Sequence, residues 1–154
     1  MSEPDSQTLH TAIYLHQKGN LNEATQLYRR LIDKNADNFH ALHFLGIIEA
    51  GAGNIEQAKL LMERSLSVEP PNIQFTENYA TVLFQAGDYQ SALRVCEQAL
   101  QLHESNVALL YVSASTLFKL SRTQKAIAQL DKLLSLAPAH IAALTERGFA
   151  MAEL

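Results

Sequence analysis

The sequence predicts an all-α protein, in which four helix-turn-helix repeats stack in a row and are followed by the first helix of a fifth. Three observations carry that expectation. A short segment recurs at a fixed interval, as KGNLNEA at residues 18–24, AGNIEQA at 52–58, AGDYQSA at 86–92 and, more weakly, LSRTQKA at 120–126, each copy beginning 34 residues after the one before. Small residues return at the same interval. Ala12, Gly46, Ala80, Ala114 and Gly148 hold the eighth position of each repeat, and Ala24, Ala58, Ala92 and Ala126 the twentieth. Two helices approach closely only where both surfaces are flat, so these residues mark contacts between packed helices. Around them apolar residues recur in steps of three and four, the helical period.

The elements follow in order, with residues 1–4 read as a disordered lead-in to a repeat domain over 5–154. In the first repeat, residues 5–38, a helix carrying Ala12 ends at Gly19, where glycine can take the left-handed conformation that closes a helix. Asn20 is a good N-cap for the next helix and stands from Glu23 at the spacing of a capping box, while Leu27, Leu31 and Ile32 form its apolar stripe. The second repeat, 39–72, follows the same plan with Gly46, Gly53, Asn54 paired to Gln57, and Pro70 where the second helix must stop. The third, 73–106, has Gly87, the N-cap Asp88 and a stripe of Leu93, Cys96, Ala99 and Leu100. The fourth, 107–140, replaces the turn glycine with Ser121 and stops at Pro138; Ala36 and Glu104 stand where the other two repeats lack the proline. Residues 141–154 then supply one helix and stop one residue before the expected turn, which reads as a fragment of something longer. The apolar side of that last helix would favour self-association.

Composition narrows the function classes. The chain has 154 residues, enough for one domain, and 47% of them are apolar, so a sizeable core is available. A net charge of -4 offers no basic excess to hold a phosphate backbone, which argues against nucleic acid. Cys96 is the single cysteine, so neither an internal disulfide nor a multi-cysteine zinc site is expected. The opening MSEPDSQTLH does not read as a secretory signal, and no apolar stretch approaches bilayer length. A reducing, cytoplasmic compartment is the expectation, with no membrane partner.

A repeat of this length, with these small residues, turn glycines and terminal prolines, resembles the tetratricopeptide repeat. The resemblance covers residues 5–154 and implies a right-handed superhelix in which the first helix of each unit lines a concave surface. Single units cannot bury their apolar faces alone, so neighbours must shield each other. The resemblance places His40, His43, Glu77, Thr81, Phe84, Gln85, Tyr111, Ser115, Phe118 and Lys119 on the concave face, as a groove for an extended peptide or protein segment. Phe84, Tyr111 and Phe118 either offer rigid apolar area to that segment or pack between neighbouring units. The carboxylate clamp of co-chaperones in this family is absent, because Leu9 and Ile13, or His43 and Ile47, stand at its lysine and asparagine positions. Of the asparagine ladder found in O-linked N-acetylglucosamine transferase repeats only Asn78 remains. The first two repeats nonetheless look like the N-terminal repeats of large bacterial proteins that continue into a glycosyltransferase, sulfotransferase or methyltransferase domain. The chain is thus expected to be a non-enzymatic interaction scaffold, with a substrate-recruiting region of such a transferase as the alternative.

Chemistry-bearing residues do not assemble into a catalytic pattern. His40 and His43 lie one turn apart, with His10 and His16 on the preceding first helix, but no His-Glu-x-x-His or paired cysteine spacing accompanies them. They read as polar groove lining, and neither metal nor cofactor is expected. Cys96 shares the twenty-fourth position with Tyr28, Met62 and Leu130, an inward site where a thiol behaves as a small hydrophobe. Glu49 occupies a position held elsewhere by Leu15, Leu83, Leu117 and Met151, so the pattern predicts burial. An unpaired buried carboxylate is costly, so Glu49 either stays partly solvated toward the groove or meets a partner among His16, His43 and Gln85.

Overall fold

The computed structural model describes residues 3–68 and 72–153, and among these it holds nine α-helices and no strand. They are α1 (Glu3–Gln17), α2 (Leu21–Lys34), α3 (Phe39–Gly51), α4 (Ile55–Leu66), α5 (Ile73–Gln85), α6 (Tyr89–Leu102), α7 (Val107–Lys119), α8 (Thr123–Leu136) and α9 (Ile141–Ala152). These are the four expected helix pairs and the ninth helix. The first helix already includes Glu3 and Pro4, ahead of the first 34-residue frame; a proline is tolerated there because the first-turn N–H groups have no intrahelical acceptor.

The four tight turns share one geometry. Gly19, Gly53 and Gly87 have φ of 81°, 83° and 78°, and Ser121 takes the same left-handed region at 56°. Each donates its N–H three residues back, and the next residue donates five residues back: Asn20 to Leu15, Asn54 to Glu49, Asp88 to Leu83 and Arg122 to Leu117, at 2.9 to 3.0 Å. That pair of bonds is a Schellman motif, which satisfies carbonyls the helix end would leave open. The capping boxes do not form. Neither Asn20 nor Asn54 caps through its side chain, whereas Asp88, with nearly the same backbone angles, accepts from the Ser91 N–H. At Asn54 the side chain is turned to Glu49, to which its Nδ2 donates at 2.7 Å. The first helices are capped instead by the last residue of each frame. Asn38, Asn72, Asn106 and His140 accept from the N–H groups of Ala41, Phe75, Leu109 and Ala143 respectively. Pro138 lies just past α8, but α2 and α6 end equally cleanly without a proline, and Pro70 falls outside the described residues.

Two compact units divide the chain at Phe75 and Thr76. In the first, Leu9, Ala12, Ala24, Tyr28, Leu31, Ala41 and Leu45 form a continuous core across α1, α2 and α3, and α4 packs on α3. In the second, Leu110, Ala114, Leu130, Leu133 and Ala143 join α7, α8 and α9, while Leu93, Leu117 and Ala126 tie α6 to that pair. All the small residues predicted as contacts are buried except Gly148. On α9 the apolar Ile141 and Phe149 stay 78% and 65% exposed.

The eighth position yields a paired test. A Cβ at Gly46 would lie 2.5 Å from Met62 Cγ and 3.3 Å from the Ala58 carbonyl, whereas one at Gly148 meets nothing within 4 Å. Gly46→Ala is expected to destabilise by about 1–3 kcal/mol through overpacking. Gly148→Ala, in the same repeat position, is expected to stabilise by up to about 1 kcal/mol from helix propensity alone. Urea denaturation of both variants measures the opposite signs.

Candidate functional site

In the first unit the expected groove histidines belong to an aromatic cluster. Phe75 lies flat on His43, ring centroids 3.6 Å apart and planes within 2°, and His43 is fully buried. It is therefore part of the packed interior and not groove lining, a correction imposed by a ring from the next repeat. His40 is half-buried, edge-on to Phe75 at 5.6 Å. Phe44 stacks on Tyr28 at 5.9 Å, and His16 meets both rings edge-on. Burial pushes the His16 and His40 pKa values below the ordinary imidazole value, and His43 falls to about 4 through burial and then the neighbouring His40. A neutral, packed imidazole of this kind is a structural group. Among the described residues no three His, Cys, Asp or Glu side chains converge as metal ligands. Cys96 is buried, and its thiol is pushed up to about 12 by burial and then by Glu97, so it is held protonated and unreactive.

Glu49 stays partly solvated, and its partners are not the expected ones. Its side chain is 12% exposed and meets Arg29 at 3.4 Å and Asn54 at 2.7 Å, not His16, His43 or Gln85. Because Arg29 is itself well exposed, the ion pair contributes little, and the amide bond is what orients the carboxylate.

The second unit places the remaining candidates on successive first helices. On α5, Glu77 accepts from the Asn106 side chain at 2.6 Å, Thr81 donates back to the Glu77 carbonyl at 2.9 Å, Phe84 tilts against Tyr89 at 5.6 Å, and Gln85 is exposed. On α7, Tyr111 leans on the His140 ring at 5.2 Å, and the buried Ser115 donates to Glu146 of α9 at 2.7 Å. Phe118 packs against Leu93, Leu117 and Ala126 while staying partly exposed, and Lys119 stands exposed. Burial, and after it the Glu146 charge, raises the Tyr111 pKa. Two contacts repeat with the sequence period: the fifth residue of a frame meets the cap residue ending that frame, as Glu77 with Asn106 and Tyr111 with His140. Glu146, Asn106 and His140 are partners of the candidate residues that sequence reasoning missed, although the recurrence of Asn38, Asn72 and Asn106 at the frame ends was a usable signal.

Among the described residues no helix is long and apolar enough to cross a membrane. The family described as anaphase-promoting complex, cyclosome, subunit 3, matches residues 51–133, more than half of the chain. The chain matches no curated protein sequence. Several solved structures share the fold. MamA from Desulfovibrio magneticus RS-1 superposes with a TM-score of 0.89 at 18% identity, over 99% of this chain and 86% of that one. YrrB, described as a TPR protein with an unusual peptide-binding site, gives 0.81 at 19% identity over 95% and 75%. PilF of Pseudomonas aeruginosa gives 0.86 at 16% identity over 98% and 69%. At these identities the likeness establishes a tetratricopeptide-repeat fold and nothing finer.

The buried histidine predicts a pH dependence. Unfolded, His43 binds its proton near 6.5, and folded only near 4. Between those values the unfolded chain holds more protons, so the stability from this group is complete above pH 6.5 and is lost as pH falls toward 4, by up to about 3 kcal/mol. His43→Leu, which places there the residue found at Leu9, is expected to flatten the melting temperature against pH in that window. An unchanged slope would show that His43 does not titrate in this way.

Proposed function

Because the chain belongs to the anaphase-promoting complex, cyclosome, subunit 3 family, we propose that it is a non-enzymatic interaction scaffold that holds an extended peptide or unstructured protein segment along the first helices of its second unit. The observation that carries this reading is the row of hydrogen-bonding and aromatic groups that α5, α7 and α9 present in succession: Glu77, Thr81, Tyr111, Ser115 and Glu146. They are braced sideways by Glu77 to Asn106 and Ser115 to Glu146, so the row is set before a ligand arrives. An extended segment needs partners for its backbone and rigid area for its side chains, and preset groups lower the ordering cost of providing both. The peptide-binding site in the description of YrrB belongs to that protein; its fold, shared here, is compatible with the same use. The transferase alternative gains no observation in its favour.

Within the row the groups differ in what they contribute. Half-buried Tyr111 offers an aromatic face and a hydroxyl, the combination most common at binding hot spots. Exposed Gln85 and Lys119 add adaptable polar contacts at the rim. Phe118, packed into the α6–α7–α8 cluster, supports the surface from below.

Panning the full chain against a library of short random peptides tests the reading. Selected peptides are expected to bind Tyr111→Ala about 1–3 kcal/mol more weakly, with helicity retained, and to bind Leu60→Ala, altered at an exposed residue of α4, unchanged. Phe118→Ala is expected to lower stability instead. Binders indifferent to Tyr111 would put recognition on another surface.

A further inference from the structure

The second unit contains a carboxylate that its own basic residues leave uncompensated. Glu146 is half-buried on α9, and Oε2 accepts the Ser115 hydroxyl at 2.7 Å. Ser115 is 6% exposed, so this bond is held in the wall of the unit. The Tyr111 hydroxyl, one turn earlier on α7, stands beside both groups. Two cations of the second unit are engaged elsewhere: Arg147, next to Glu146 in the chain, pairs with Asp131, and Lys132 with Glu104. Among the described residues no lysine, arginine or histidine forms an ion pair with Glu146. Lys119, one helical turn beyond Ser115 on α7, is exposed and forms no ion pair with Glu146. His140 turns its Nδ1 to the Ala143 N–H, which it accepts at 3.1 Å, and forms no ion pair with Glu146.

Taking a carboxylate partly out of water is costly, and hydroxyl neighbours offset only part of that cost. A cation would offset the rest. We propose that Tyr111, Ser115 and Glu146 form a subsite for a cationic side chain, a lysine ammonium or an arginine guanidinium, of the bound segment. Ser115 fixes Oε2 and thereby orients the carboxylate, which leaves Oε1 to accept from the incoming group. The Tyr111 ring, steadied by His140 at 5.2 Å, offers a π face to the same charge. The subsite rests on the peptide-scaffold reading above and assigns to it a residue class.

The experiment uses the same library of short random peptides, panned on the full chain, on Glu146→Gln and on Glu97→Gln. Gln keeps an acceptor for Ser115 while removing the charge, and Glu97, exposed on α6, controls for net charge. Peptides selected on the native chain and on Glu97→Gln are expected to be enriched in Lys or Arg at one position. That enrichment should vanish on Glu146→Gln, and replacing the selected cation by norleucine should weaken binding to the native chain about fivefold. Ser115→Ala, which frees the carboxylate without removing it, should show a smaller loss of the same preference. Peptides selected without cation enrichment, with enrichment that survives Glu146→Gln, or with enrichment in Asp and Glu would overturn the subsite and leave the scaffold reading standing. If no peptide is selected on any of the three proteins, the scaffold reading falls and the subsite with it.

Discussion

Everything in this structure depends on how closely two helices of a pair can touch. Ala24, Ala58, Ala92 and Ala126 are fully buried, and at Gly46, which faces Ala58 and Met62, even a methyl group has no room. With the backbones in contact at those points, the larger side chains must fall to the flanks. One turn after each alanine, Tyr28, Met62, Cys96 and Leu130 are all fully buried, four different shapes in one equivalent place. Interiors tolerate such variety when the enclosing backbone is fixed and the volume is filled. The close contact thus sets the geometry, and the bulky residues fill what it leaves.

Local signals then position the pairs. Each tight turn is a Schellman motif, closed by a left-handed residue, and each following first helix begins on a side chain that accepts a backbone N–H. Because these signals fix where every first helix starts, they also fix which of its residues face sideways. Glu77, Tyr111, Ser115 and Glu146 meet their partners across neighbouring helices for this reason, and the row proposed for recognition is a consequence of the turns as much as of its own residues.

The fold was legible because its determinants lie within a single repeat: period, small residues and left-handed turns can each be read without knowing what packs where. Ser121 illustrates the strength of that reading, since it adopts the left-handed conformation with no glycine to announce it. Features that depend on two repeats at once were not legible. His43 was assigned to the groove by its position, but its surroundings are decided by Phe75. Glu49 finds Arg29, from a helix before its own, and Asn54, an amide that the sequence had reserved for capping. Glu146 has meaning only beside Ser115 and Tyr111, 31 and 35 residues earlier in the chain. For His43 and Glu146 the missing information was a side-chain meeting between neighbouring repeats, and for Glu49 it was that together with a contact to Asn54 inside its own repeat.

The packing of each helix on its sequence neighbours has a kinetic side. Within either unit, α1 meets α2 and α3, and α7 meets α6, α8 and α9, so partners are separated by little more than one repeat. Such a protein has a low contact order, and only short loops must close before each interface repays the entropy of closing it. Folding can start at whichever pair is locally strongest and spread outward, without waiting for distant segments to find each other. It also follows that unfolding has no single nucleus to defend: the chain can fray from a weak pair while its neighbour remains folded. A sequence change in one repeat would therefore be felt first as a local loss of cooperativity, before it is felt as a loss of the fold.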